Sequence, residues 1–80
     1  MAQLNVVHVR VATGAIPDEG RLVYADGALI AVLIKLEADL AAQARGVWYL
    51  EAAFGPVDHF HHPVFETIQD SLAWIHRRLK

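Results

Sequence analysis

Eighty residues carry a net charge of −2, 55% hydrophobic side chains and no cysteine. That length supports one core, so residues 1–80 are expected to form a single domain, and the composition lies far from that of disordered chains. A disulfide framework, a thiolate metal site and a cysteine nucleophile are excluded outright.

The longest uninterrupted apolar run, Ala28 to Ile34, is far shorter than the ~20 residues of a bilayer-spanning helix. No basic-then-apolar leader opens the chain. The expectation is a soluble, unprocessed, cytoplasmic protein with no membrane association.

Along the chain, Asn5 to Thr13 alternates so that Val7, Val9 and Val11 share one side and His8 and Arg10 the other, which is the period of a half-buried strand. Pro17-Asp18-Glu19-Gly20 predicts a reversal. Arg21 to Ala25 reads as a second strand, and Asp26-Gly27 is the signature of a type I′ hairpin turn. The following stretch to Arg45 is rich in Ala and Leu and could be written as a helix. Ile30, Val32 and Ile34 at strict alternation after a hairpin turn instead predict a strand over about 28–37, with 38–45 either a loose helical turn or a loop. A fourth strand is expected over 47–54, with Trp48, Leu50, Ala52 and Phe54 on one side.

Gly55-Pro56 ends that strand, and a connector rich in His and aromatics runs to Glu66. Thr67 stands three residues before Asp70, the spacing of a helix cap. Ile68, Leu72, Ile75 and Leu79 recur at three- and four-residue intervals and predict a helix over 68–79, with Trp74 on its flank. The predicted fold is α+β: a four-stranded antiparallel meander, ββββα, with one C-terminal helix on one face in two layers.

Three groups of residues bear on function. The first is an apolar face. If the turn sets Tyr24 opposite Leu29 and Leu22 opposite Ala31, then Leu22, Tyr24, Leu29 and Leu33 share one side of the sheet. The β-branched side, with Val7, Val9, Val11, Trp48, Leu50 and Phe54, is the better core. The Leu and Tyr side, with Tyr49, is then left exposed beside His8, Arg10, Lys35 and Glu51, as a homodimer interface would be.

The second group is Asp58, His59, His61 and His62, a carboxylate and three imidazoles within five residues. These are ligand types for zinc, nickel or copper, but one loop lacks the spread of positions a built metal site draws on. The third is Arg77, Arg78 and Lys80, three of the seven basic residues in the last four positions. They could meet phosphates, but they also suit the negative end of a helix dipole, and the rest of the chain is acidic, opposite to the usual bias of a nucleic-acid binder.

The string Phe65-x-Thr67-x-x-x-Ser71-x-x-Trp74-Ile75, after a strand with Trp48-Tyr49, resembles in topology the sheet-plus-helix arm-type DNA-binding domains of phage integrases and HicB-like antitoxin domains. The resemblance covers the last third of the chain and lacks the sheet Arg and Lys residues of integrase arms, so it implies arrangement and not function.

No phosphate loop, dinucleotide fingerprint or nucleophile elbow occurs. Ser71 falls within the predicted helix and Thr67 at its cap, so no paired acid, base and nucleophile can be assembled and no catalytic residue is named. The expected function is that of a non-enzymatic interaction module. Its partner would be a second copy or another protein, ahead of nucleic acid and then of metal, and no cofactor is expected.

Overall fold

A computed structural model describes residues 3–12, 18–36, 47–58 and 63–79. The elements are β1 (Leu4–Val11), β2 (Asp18–Ala25), β3 (Ala28–Leu36), β4 (Val47–Ala53), a 3₁₀ turn (Gly55–Val57), β5 (Val64–Phe65) and α1 (Ile68–Arg78). The strands form one antiparallel sheet in the order β1-β2-β3-β4-β5. The expected α+β meander with a C-terminal helix is observed, with one strand more than expected. The fifth strand lies in the stretch read as connector: Phe65 pairs with Trp48 and Val64 with Tyr49, and the Leu50 N–H donates to the Pro63 carbonyl at 3.2 Å. Two residues are too few to show a period, so no alternation marks them.

Asp26 and Gly27 both take positive φ, 52° and 88°, as a type I′ turn requires. The turn is tied to the start of β1: the Asp26 N–H donates to the Gln3 carbonyl at 3.1 Å, and the Gln3 N–H donates to Asp26 Oδ1 at 3.2 Å. Tyr24 faces Leu29 as expected, but the register then shifts, and Val23 faces Ala31 while Leu22 faces Val32. Ile30 is the extra residue of a bulge, and its carbonyl accepts from the Phe54 N–H at 2.9 Å. A second shift leaves Glu51 as the extra residue of β4, with Leu33 facing Leu50 and Val32 facing Ala52.

The first bulge changes which residues share a side. Paired residues in adjacent strands project from the same face. Val23, Ala31, Leu33 and Leu50 therefore lie together, and they form the core with Ile30, Trp48, Val57, Phe65 and Ile75. Leu33, expected on the uncovered side, is fully buried under this core. Val32 and Ile34, expected in the core, pair with Leu22 and Gly20 and belong to the opposite side. Val7, Val9 and Val11 follow them, since they face Leu22, Gly20 and Asp18. Phe54, expected beside Trp48 and Leu50, stands past the bulge and is 47% exposed.

Helix α1 closes one side of the sheet. Thr67 is its N-cap, with Oγ1 accepting from the Asp70 N–H at 3.0 Å, and His76, Arg77 and Arg78 occupy the last turn, where cations suit the dipole. Ile75 is fully buried, and Ile68, Leu72 and Leu79 pack on the core from the same stripe. Trp74 seals the margin, its ring 5.8 Å from that of Phe65 and tilted by 59°. Ser71 is buried, and its hydroxyl donates to the Ile68 carbonyl at 2.6 Å.

No helix among the described residues is long and apolar enough to cross a membrane.

Candidate functional site

The two sides of the sheet differ in what covers them. An 11-residue helix is only about 16 Å long, and α1 packs against β5 and the 3₁₀ turn, toward one end of the meander. On its side of the sheet, the register continues beyond the core into His8 opposite Arg21 and Arg10 opposite Glu19. Arg21 is tightly held: its Nη2 lies 2.8 Å from Glu19 Oε2, its Nη1 donates to the Gly20 carbonyl at 3.0 Å, and its guanidinium stands 4.8 Å over the Trp48 ring. The Lys35 ammonium lies 6.0 Å from the same ring. The hydrogen bond from Arg21 holds the Glu19 carboxyl below its ordinary value of 4.5, and the charges of Arg21, Lys35 and His8 act in the same direction.

Sequence reasoning placed His8, Arg10 and Lys35 as a rim to the apolar face. They stand instead on the helix side, Lys35 beside Trp48 and His8 and Arg10 on β1 opposite Arg21 and Glu19.

The other side of the sheet is apolar from strand to strand. Val7, Leu22, Val32 and Ala52 make one row across β1 to β4, and Val9, Gly20, Ile34, Tyr49 and Val64 make the next across all five strands. Tyr24 and Leu29 continue it toward the hairpin turn. Val7 is 44% exposed and Val64 53%, Ile34 is buried, and Leu22, Tyr24, Leu29, Val32 and Tyr49 are half-buried. Gly20 is required here. A Cβ on it would stand 2.8 Å from Val11 Cγ2 and 3.0 Å from the Leu33 carbonyl oxygen, so the valines of β1 lean across it.

Of the five residues expected at an interface, Leu22, Tyr24, Leu29 and Tyr49 lie on this face and Leu33 does not. Val7, Val9, Val32 and Val64 belong to it and were missed. The alternation of β1 was legible, but nothing in the sequence tells which of its two sides meets the helix.

The remaining candidates do not come together as sites among the described residues. Asp58 is exposed and follows the 3₁₀ turn, its N–H donating to the Gly55 carbonyl at 3.1 Å. His59, His61 and His62 lie outside the described residues, among which no cluster of three or more His, Cys, Asp or Glu side chains could hold a metal ion. Arg77 is exposed, whereas the Arg78 guanidinium lies 4.5 Å over the Trp74 ring. Lys80 is outside the described residues.

The class these features define is a small α+β protein with one helix-covered and one apolar sheet face. Comparison with known protein families, with curated proteins and with solved structures finds no match.

Proposed function

We propose that this chain is a non-enzymatic, self-associating interaction module that pairs two copies through the sheet face opposite α1. The observation that supports it is the composition of that face: two successive rows of Val, Leu, Ile, Ala and Tyr across the strands, interrupted only by Gly20. Monomers rarely expose contiguous apolar surface beyond a few hundred Å². Val7 and Val64 stand exposed on this face, Leu22, Tyr24, Leu29, Val32 and Tyr49 are half-buried, and Ile34 is buried within the single chain. The surface left open is smaller than that of a standard specific interface, so the pairing expected is a weak one. Two-fold symmetry is the usual way for identical faces to meet.

Light scattering at about 100 µM, where even a micromolar complex is mostly formed, is expected to show association. Val64→Glu, at a position already exposed in the single chain, is expected to weaken it while leaving the fold intact. A chain that stays monomeric at that concentration, or an assembly indifferent to both Val64→Glu and Leu22→Glu, overturns the reading.

A nucleic-acid partner is the second reading, and the basic groups around Trp48 favour it. Against it, Arg21 is already bonded to Glu19 and Gly20, Arg78 is stacked on Trp74, and the chain carries nine acidic against seven basic residues. The expected binding is weak, with a shallow salt dependence. Affinity tighter than about micromolar at physiological salt would reverse the order of the two readings.

A further inference from the structure

The sheet has one long edge. β1 pairs with β2 through all eight of its residues in unbroken register, and among the described residues no strand lies on its outer side. The opposite edge, β5, has only two residues. Proteins blunt exposed edges with proline, bulges, lysine or short strands, because the unpaired N–H and C=O groups recruit another chain. β1, Leu-Asn-Val-Val-His-Val-Arg-Val, has no proline, lysine or bulge and is eight residues long, and its one charged side chain among these devices is Arg10 near its end.

We propose that β1 is a second self-association site, at which two copies join edge to edge into one continuous antiparallel sheet about a two-fold axis at Val7. The strand is self-complementary in this register. Two copies must meet with like faces on the same side, because a one-residue slip would turn the apolar side of one against the charged side of the other. Near the middle of Leu4–Val11 only two arrangements satisfy this, one centred on Val7 and one on His8.

Centring on His8 sets the two imidazoles directly opposite one another, with Arg10 of each copy diagonal to them, so four polar side chains crowd one spot and Val6 is set against Arg10. Centring on Val7 sets Val7 against Val7 and Asn5 against Val9 on the apolar face. On the helix side it sets Val6 against His8 and Leu4 against Arg10, so each polar side chain faces an apolar one.

The two-fold axis of this pairing is normal to the sheet and that of the face pairing lies in its plane. The two sites are therefore independent and compatible. The edge pairing does not rest on the face pairing.

The chain has no cysteine, so engineered thiols report the register directly. Residues opposed across an antiparallel pair have Cα atoms about 4.5 to 5.5 Å apart, inside the range of roughly 4.4 to 6.8 Å that a disulfide spans. Val6→Cys mixed with His8→Cys is expected to give a cross-linked heterodimer under mild oxidation, while neither variant links to itself. Both positions lie on the helix side, where face pairing holds them apart, and adding Val64→Glu to each is expected to leave the cross-link intact.

In the unaltered chain, outward amide protons of β1 are expected to exchange about fourfold more slowly at 1 mM than at 10 µM, for a dissociation constant on the order of 100 µM. Self-linking of His8→Cys without the mixed product overturns the Val7 register. Absence of any cross-link, with outward β1 amides exchanging at the same rate at both concentrations, overturns edge pairing itself.

Discussion

Leu33→Ala and Val32→Ala, adjacent in β3, test which side of the sheet is the core. Leu33 is fully buried opposite Leu50, in the cluster that contains Ile75 of the helix. Truncating it removes three buried carbons and leaves a cavity under α1, a change that costs about 2 to 5 kcal/mol. Val32 is half-buried on the other side, and losing two partly exposed carbons costs about 1 kcal/mol. An 80-residue domain has a total stability of roughly 4 to 12 kcal/mol, so Leu33→Ala removes a large part of it.

At about 4 to 8 °C per kcal/mol for a domain of this size, the melting temperature is expected to fall by roughly 8 to 40 °C for Leu33→Ala and about 4 to 8 °C for Val32→Ala. Thermal unfolding followed by far-ultraviolet circular dichroism near 5 µM, where weak association contributes little, measures both. Leu33→Glu, which would bury an unpaired carboxylate, is expected not to fold at all. The strict alternation read from sequence demands the reverse order, with Leu33 tolerant and Val32 critical. A larger loss for Val32→Ala, or a folded Leu33→Glu variant, would refute the bulge at Ile30 and the face assignment built on it.

Gly20→Ala drives a Cβ to 2.8 Å from Val11 Cγ2 and 3.0 Å from backbone at Leu33. It is expected to destabilise by about 1 to 3 kcal/mol in urea titration, and a neutral or stabilising outcome would contradict the close approach of β1 over β2. Thr67→Ala removes the acceptor for the Asp70 N–H and is expected to cost about 1 kcal/mol, whereas Thr67→Ser retains it; equal losses in the two would argue against capping. Glu19 is expected to titrate below its ordinary value by carbon-13 NMR and to move upward in Arg21→Gln, since the hydrogen bond from Arg21 is the main cause. A carboxyl depressed in the folded state contributes stability that is present above the unfolded value near 4.5 and is lost as pH falls through the lower folded one. An unshifted Glu19, or one unchanged by Arg21→Gln, would mean that the ion pair is absent in solution.

Elements governed by local chemistry were legible in the residues. Asp26-Gly27 demanded a turn with two positive φ values, which few other residue pairs accept. Thr67 before Ile68 marked a cap, because a hydroxyl oxygen there meets an otherwise unpaired backbone N–H. Ile68, Leu72, Ile75 and Leu79 marked one helix stripe because 3.6 residues per turn bring them together. Of the five residues expected together on one face, Leu22, Tyr24, Leu29 and Tyr49 share it and Leu33 does not, while the valines expected in the core stand beside them.

What the sequence by itself determined was therefore four of the five strands and the helix, their order and their periods, β5 being too short to show one. Only the tertiary structure decided which period faced the helix. A strand offers two sides, and an extra residue exchanges them for everything that follows. The bulge at Ile30 brings Leu33 into the core and takes Val32 and Ile34 out of it, and no turn residue or break in alternation announces it, because it is stabilised from a distance, by the Phe54 N–H on the Ile30 carbonyl. The valines of β1 went the same way. Their side was set by pairing with Leu22 and Gly20 on β2, at the end of the sheet away from β5 and the 3₁₀ turn on which the helix packs.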